Sequence, residues 1–271
     1  MVNSHAKITE ESLAKIKIEV PVAGNKILEE VVSLVNRNNE IKTLWKVMNV
    51  NATSRLGMTD HGATHFQIVS NNGLKIARIL ERNGVKFSVV KDLGLTNHHA
   101  EVIIFLACIM HDLGMSIHRQ GHEEYSLFLA NSLLHEMLSF LPIEEKTVVI
   151  SETLHAIISH RADGEPFTIE AGIVRISDAL DMTKGRSRIP YNLGNIDIHS
   201  VSHKSIETVE ILEGADRPIE IKIVMTNPAG IFQVDDLMKE KLKGGGIENY
   251  IKASAYLVES GHEKLFKEYR L

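Results

Sequence analysis

His111 and Asp112 stand side by side in "IMHDLGM", closing the apolar run "EVIIFLACIM". Two ionisable groups at the end of a segment that otherwise reads as core need water or polar partners. Adjacency alone is compatible with a surface turn, so the other candidates must decide. "TDHGATHFQIV" offers His61 and His65 at i, i+4 spacing, with Asp60 at an N-cap position and His65 able to point inward. "HRQGHEEYS" holds His118 and His122, "LHAIISHRADG" holds His155 and His160, and "VRISDALDMTKGRSR" holds Asp178 and Asp181. Nearly all of these groups lie at the start or end of an apolar helical stretch. Imidazole and carboxylate suit a divalent first-row metal, and helix ends of one bundle can converge on a cation without burying uncompensated charge.

The elements that must position them are helices. From Pro21 to about Met182 the apolar spacing is helical in "KILEEVVSLV", "FQIVSNNGLKIARIL", "YSLFLANSLLHEML" and "TVVISETLHAII", with breakers near Gly84, Gly94, Pro142 and Gly164 between them. Beyond Pro190 the texture changes to alternating and β-branched residues in "NIDIHSVS", "SIETVEILEG" and "PIEIKIVMT", with "EGADRP" as a turn, which predicts a small antiparallel sheet. "VDDLMKEKLKGGG" and "IENYIKASAYLVES" read as helical, with Gly244–Gly246 as a stop or hinge between them. The expected organisation is a helical domain over 1–190 and an α+β appendage over 191–271. No internal repeat is visible.

Composition bounds the function. With 271 residues, 44% hydrophobic and 24% charged, the chain can bury a substantial core. No membrane-spanning run of apolar residues and no signal-peptide pattern is read, so the expected location is cytoplasmic. The single Cys108, among apolar neighbours, excludes an intramolecular disulfide and a cysteine-based zinc cluster. A net charge of -5 argues against a non-specific nucleic-acid binder and for a small substrate.

The ordered pattern His65, His111-Asp112, Asp178, carried by "RLGMTDHGATH", "MHDLGM" and "RISDALDMT", resembles the HD superfamily of metal-dependent phosphohydrolases over roughly residues 55 to 185. The resemblance implies a mainly α, HD-type helical bundle with a metal bound by His65, His111, Asp112 and Asp178. Some members carry two more histidines and a second metal; His122 and His160 occupy the corresponding places, with His118 and His155 as alternatives. Asp112 would then bridge two cations roughly 3.5–4 Å apart, an arrangement that generates hydroxide near neutral pH and stabilises an in-line displacement. On this reading Asp112, His122 and His160 are the catalytic candidates, and the metal could be Mn, Fe, Mg, Co, Ni or Zn. Many members carry a Lys shortly after the doublet, where this chain has Met115.

Basic residues follow the ligands: Arg161 beside His160, and Lys184, Arg186 and Arg188 after Asp178, with Arg55 ahead of the first motif. They are the candidates for binding a phosphate, which Arg can engage through two hydrogen bonds. Asp181 is positioned to orient a ligand or cap local backbone. His98 and His99 read as an exposed helix start, Trp45 as core and "KEKLK" as a solvated helix face.

The expected function is hydrolysis of a small phosphate ester or nucleotide by metal-activated water. The competing readings are a di-iron oxygenase of the same fold, since the ligand scheme also resembles that of inositol oxygenase, and a non-catalytic metal- and nucleotide-binding regulator. The C-terminal appendage is expected to serve homo-oligomer assembly or site coverage rather than chemistry.

Overall fold

The computed structural model describes residues 7–58, 60–161, 163–183, 202, 204–235 and 240–269. Lys184, Arg186, Arg188 and the "NIDIHSV" stretch lie outside the described residues, as does the boundary expected at 190.

Helices α1 (Glu10–Ala14), α2 (Lys26–Arg37), α3 (Asn39–Val50), α4 (Ala63–Arg82), α5 (Ser88–Leu93), α6 (Asn97–Met110), α7 (His122–Met137), α8 (Ile143–Ile158) and α9 (Ile169–Ala179) form the bundle. Their start signals are local: Asn25 and Asn38 accept from the backbone N–H groups of Leu28 and Ile41, and Thr168 from that of Ala171. From Val102 onward helix α6 is apolar all round, and every residue from His99 to Met110 is buried. It is the central rod against which α4, α8 and α9 pack. The stretch Asn97–Ser116 is long and apolar enough to cross a membrane by length and composition alone, but 94% of its most apolar window is buried inside this fold, as in a core helix. Trp45 is core, as expected, and its indole N–H donates to the Ile109 carbonyl at 3.0 Å.

The C-terminal part carries four strands, β1 (Ile206–Glu213), β2 (Ile219–Met225), β3 (Ile251–Glu259) and β4 (His262–Tyr269), in the order β1-β2-β3-β4. Two expectations need correction. The sheet is mixed: the outer pairs are antiparallel, but β2 and β3 run parallel, with Ile223 opposite Ala255. The connection from Met225 to Ile251 is long enough for a crossover, and a parallel pair requires one. Second, "IKASAYLVE" is a strand. Its alanines suit a helix, but between β2 and β4 they fit a central strand whose Ile251, Ala253 and Ala255 are buried. The overlooked signal was the Ser260-Gly261 pair, both at positive φ, which closes the β3–β4 hairpin.

Sheet and bundle share one core. Ile219, Ile221, Ile223 and Ile251 belong to the same buried cluster as Phe66, Ile104 and Ile176. Arg82 of α4 pairs with Glu213 of β1 across the junction.

Candidate metal centre

His65 lies on the first turn of α4, His111 caps the C-terminus of α6, and Asp112 starts the short 3-10 turn Leu113–Ser116. His122 opens α7, His160 lies just past the end of α8, and Asp178 is on the last turn of α9. The doublet is pressed against α7 because residue 114 is glycine: a Cβ there would sit 1.9 Å from the carbonyl oxygen of His122. The Ser126 hydroxyl accepts from the Gly114 N–H at 2.8 Å and stands 2.7 Å from the His111 carbonyl, fastening the same loop.

The structure therefore brings together His65, His111, Asp112, His122, His160 and Asp178. Asp112 is the hub. Its Oδ1 lies 3.0 Å from Nε2 of His122 and 3.7 Å from Nε2 of His160; its Oδ2 lies 3.6 Å from Nε2 of His111 and 4.0 Å from Nε2 of His65. Asp178 Oδ1 stands 3.4 Å from Nε2 of His65 and 3.6 Å from that of His111.

The opposite ring nitrogens explain why Nε2 faces inward. Nδ1 of His65 donates to Asp181 at 2.6 Å, Nδ1 of His111 to the Cys108 carbonyl at 3.0 Å, and Nδ1 of His160 to the Ile157 carbonyl at 2.6 Å. With the proton on Nδ1, each Nε2 presents a lone pair to the centre. Around Nδ1 of His122 the Arg119 carbonyl and guanidinium both stand at 3.0 Å, so acceptor and donor compete there. His65 and His111 bring their Nε2 atoms within 3.2 Å of each other. Converging lone pairs, the buried Asp112 carboxylate and the half-buried Asp178 carboxylate form a donor set that fits a divalent cation. Three overlapping groups could hold one: His61, His65 and Asp112; His65, His111 and Asp178; His111, Asp112 and His160.

Electrostatics follow from this packing. Burial opposes ionisation of Asp112, but His111, His122 and His61 outweigh it and hold the carboxyl well below its ordinary value. Asp178 is likewise opposed by burial and depressed by Lys241, His111 and His65. Burial disfavours protonated His111, but Asp112 and Asp178 reverse that and raise its pKa. His160 goes the other way, held well below its ordinary value by burial and then by His111.

The alternatives separate cleanly. His118 is exposed and turned to the Gln120 carbonyl, while His155 stacks on Phe167 at 4.4 Å and accepts from its backbone N–H. Arg161 is held by Glu123 at 2.8 Å and Asp163 at 3.4 Å, and Arg55 donates to Asn51 Oδ1 at 2.7 Å. His99 is buried rather than exposed, since its ring closes the capping box with Thr96 and meets Glu145 at 3.0 Å.

Two site residues escaped the sequence reading. His61 Nδ1 lies 2.9 Å from Asp112 Oδ2; its i, i+4 relation to His65 was the available signal. Lys241, from the "KEKLK" segment expected to be solvated, donates to Oδ2 of Asp178. No local pattern could announce that contact, because it spans 63 residues.

Comparison with known proteins agrees with this geometry: residues 62–183 match the HD domain. The chain belongs to the HD domain family. HD domains bind divalent metals, and the groups described above could hold one. The chain is also 42% identical over 233 residues, 86% of its length and 89% of the relative's, to "Uncharacterized protein MJ1020" of Methanocaldococcus jannaschii. No solved structure matches it.

Proposed function

We propose that this HD protein is a metal-dependent phosphohydrolase acting on a small phosphate ester or nucleotide. The observation that carries the reading is Asp112, whose two oxygens face two different groups of imidazoles, Oδ1 toward His122 and His160 and Oδ2 toward His111, His65 and His61. Such a carboxylate suits a bridge between two cations, with His65, His111 and Asp178 on one side and His122 and His160 on the other.

When bound, the cations would activate water and neutralise charge on the phosphoryl oxygens. The chain itself supplies the rest. The backbone acceptors behind His111 and His160, and Asp181 behind His65, hold the rings in one tautomer and one orientation. His61, 14% exposed, reaches Asp112 and is placed to exchange a proton with a leaving group or solvent. The apolar walls of α4, α6 and α9 exclude bulk water, which strengthens each charge interaction inside.

The test is elemental analysis of the purified protein, followed by a phosphatase and phosphodiesterase screen with added Mn, Mg, Co or Ni, and an oxygen-uptake assay with Fe. Metal-dependent release of phosphate or a nucleotide that disappears in Asp112→Ala is the expected result. Iron-dependent oxygen uptake without hydrolysis would replace this reading with an oxygenase.

A further inference from the structure

The strongest feature outside the ligand set is Lys241. It comes from the segment between β2 and β3, yet its ammonium sits on the metal centre. Asp178 is divided between two tasks: Oδ1 faces His65 and His111, while Oδ2 accepts from Lys241. The lysine is therefore on the outer side of the carboxylate, not among the nitrogens. Neither member of this pair is sealed from solvent: the Asp178 and Lys241 side chains are 16% and 12% exposed, whereas those of His65 and His111 are fully buried.

The approach of Lys241 is built rather than incidental. The short helical turn Glu240–Leu242 buries Leu242, and Ile247 is buried five residues on. Between them Gly244 and Gly246 adopt positive φ, at 71° and 74°, conformations that side chains rarely take. This turn lets the Gly245 carbonyl lie on α9 at Gly172, where an added Cβ would stand 2.1 Å from it. Arg175, one turn further along α9 and buried, donates to the Lys243 carbonyl at 3.4 Å and to the Gly164 carbonyl at 2.5 Å. The same helix thus carries Asp178 and holds both the lysine segment and the loop after His160.

We infer that the C-terminal segment delivers Lys241 to the mouth of the metal centre as a substrate-binding residue that takes a phosphoryl oxygen. This rests on the phosphohydrolase reading above. An ammonium has three donors, and Asp178 accepts from one. The carboxylate keeps the side chain extended, and an incoming phosphate meets a cation already in place. Charge-assisted hydrogen bonds to phosphate are the stronger kind, and a positioned donor loses little freedom in forming one. The appendage would then complete the substrate site.

The experiment compares wild type, Lys241→Met and Lys241→Arg, each loaded with Mn and dialysed. Metal content is measured by elemental analysis, folding by circular dichroism and orthophosphate binding by calorimetry. The expected result is full metal content in all three, phosphate affinity lowered about ten- to hundredfold in Lys241→Met, and most of it kept in Lys241→Arg. Equal phosphate affinity in wild type and folded Lys241→Met overturns the inference and leaves the phosphohydrolase reading standing. Loss of metal from Lys241→Met would make the lysine a support for Asp178 and also overturn it. Absence of phosphate binding in metal-loaded wild type would count against both.

Discussion

Nδ1 of His65 donates to Oδ2 of Asp181 across 2.6 Å, with both side chains sealed from solvent. A carboxylate behind an imidazole fixes its tautomer and makes the opposite nitrogen a better ligand. Asp181→Ala should therefore weaken metal binding by about 10- to 100-fold while leaving all the proposed ligands in place. Asp181→Asn, which retains an acceptor, should lose less. Titration calorimetry with Mn, alongside a melting curve, measures both; wild-type affinity in folded Asp181→Ala would remove Asp181 from the site.

Variants of His122 and His160 test nuclearity. If Asp112 bridges two cations, substituting either histidine by Ala should lower metal content from two toward one per chain. Hydrolysis should drop by about a hundredfold or more, the scale on which one preorganised charge-stabilising group acts. A wild-type plateau at one metal under saturating Mn would instead make these histidines proton-transfer or substrate-binding groups.

The metal-free protein should have a peaked pH profile of stability. Folded His160 has a lowered pKa, so below about 6.5 the unfolded chain takes up a proton that the native site refuses, and stability falls as pH drops. Folded His111 has a raised pKa, so its contribution is fully present below about 6.5 and is lost as pH rises through the folded value. Asp112 and Asp178, both depressed, contribute above about 3.9 and lose that contribution as pH falls through their folded values. Urea midpoints of chelator-treated protein between pH 5 and 8 should peak near the middle, and His160→Gln should flatten the acid limb. An equally steep acid limb in that variant would contradict this assignment.

A side chain at Gly172 is expected to destabilise the fold. A Cβ meeting the Gly245 carbonyl at 2.1 Å must push the segment off α9, and overpacking of this kind costs about 1–3 kcal/mol. Denaturant unfolding of Gly172→Ala should show that loss, whereas Gly24→Ala, with nothing within 4 Å of its Cβ, should lose only what its positive φ costs. Equal midpoints for Gly172→Ala and wild type would show that the contact yields freely.

The helical bundle and the order of the His- and Asp-bearing motifs are legible in the sequence alone. Both are local: apolar periodicity, capping residues and breakers act within a few turns, and they set His122 at the start of α7 and Asp178 at the end of α9. It also carried the family, through the His65, His111-Asp112, Asp178 pattern. Only the tertiary structure puts His122 and His160 beside Asp112 and gives His118 and His155 other partners, because residues four or five apart near a helix end differ in direction, not in type. The same holds for His61, whose ring reaches Asp112 only once α4 is docked beside the doublet. The parallel pairing of β2 with β3 and the arrival of Lys241 at Asp178 depend on a crossover and on Gly245 packing against Gly172 of α9, contacts between distant residues that no local pattern in the chain records.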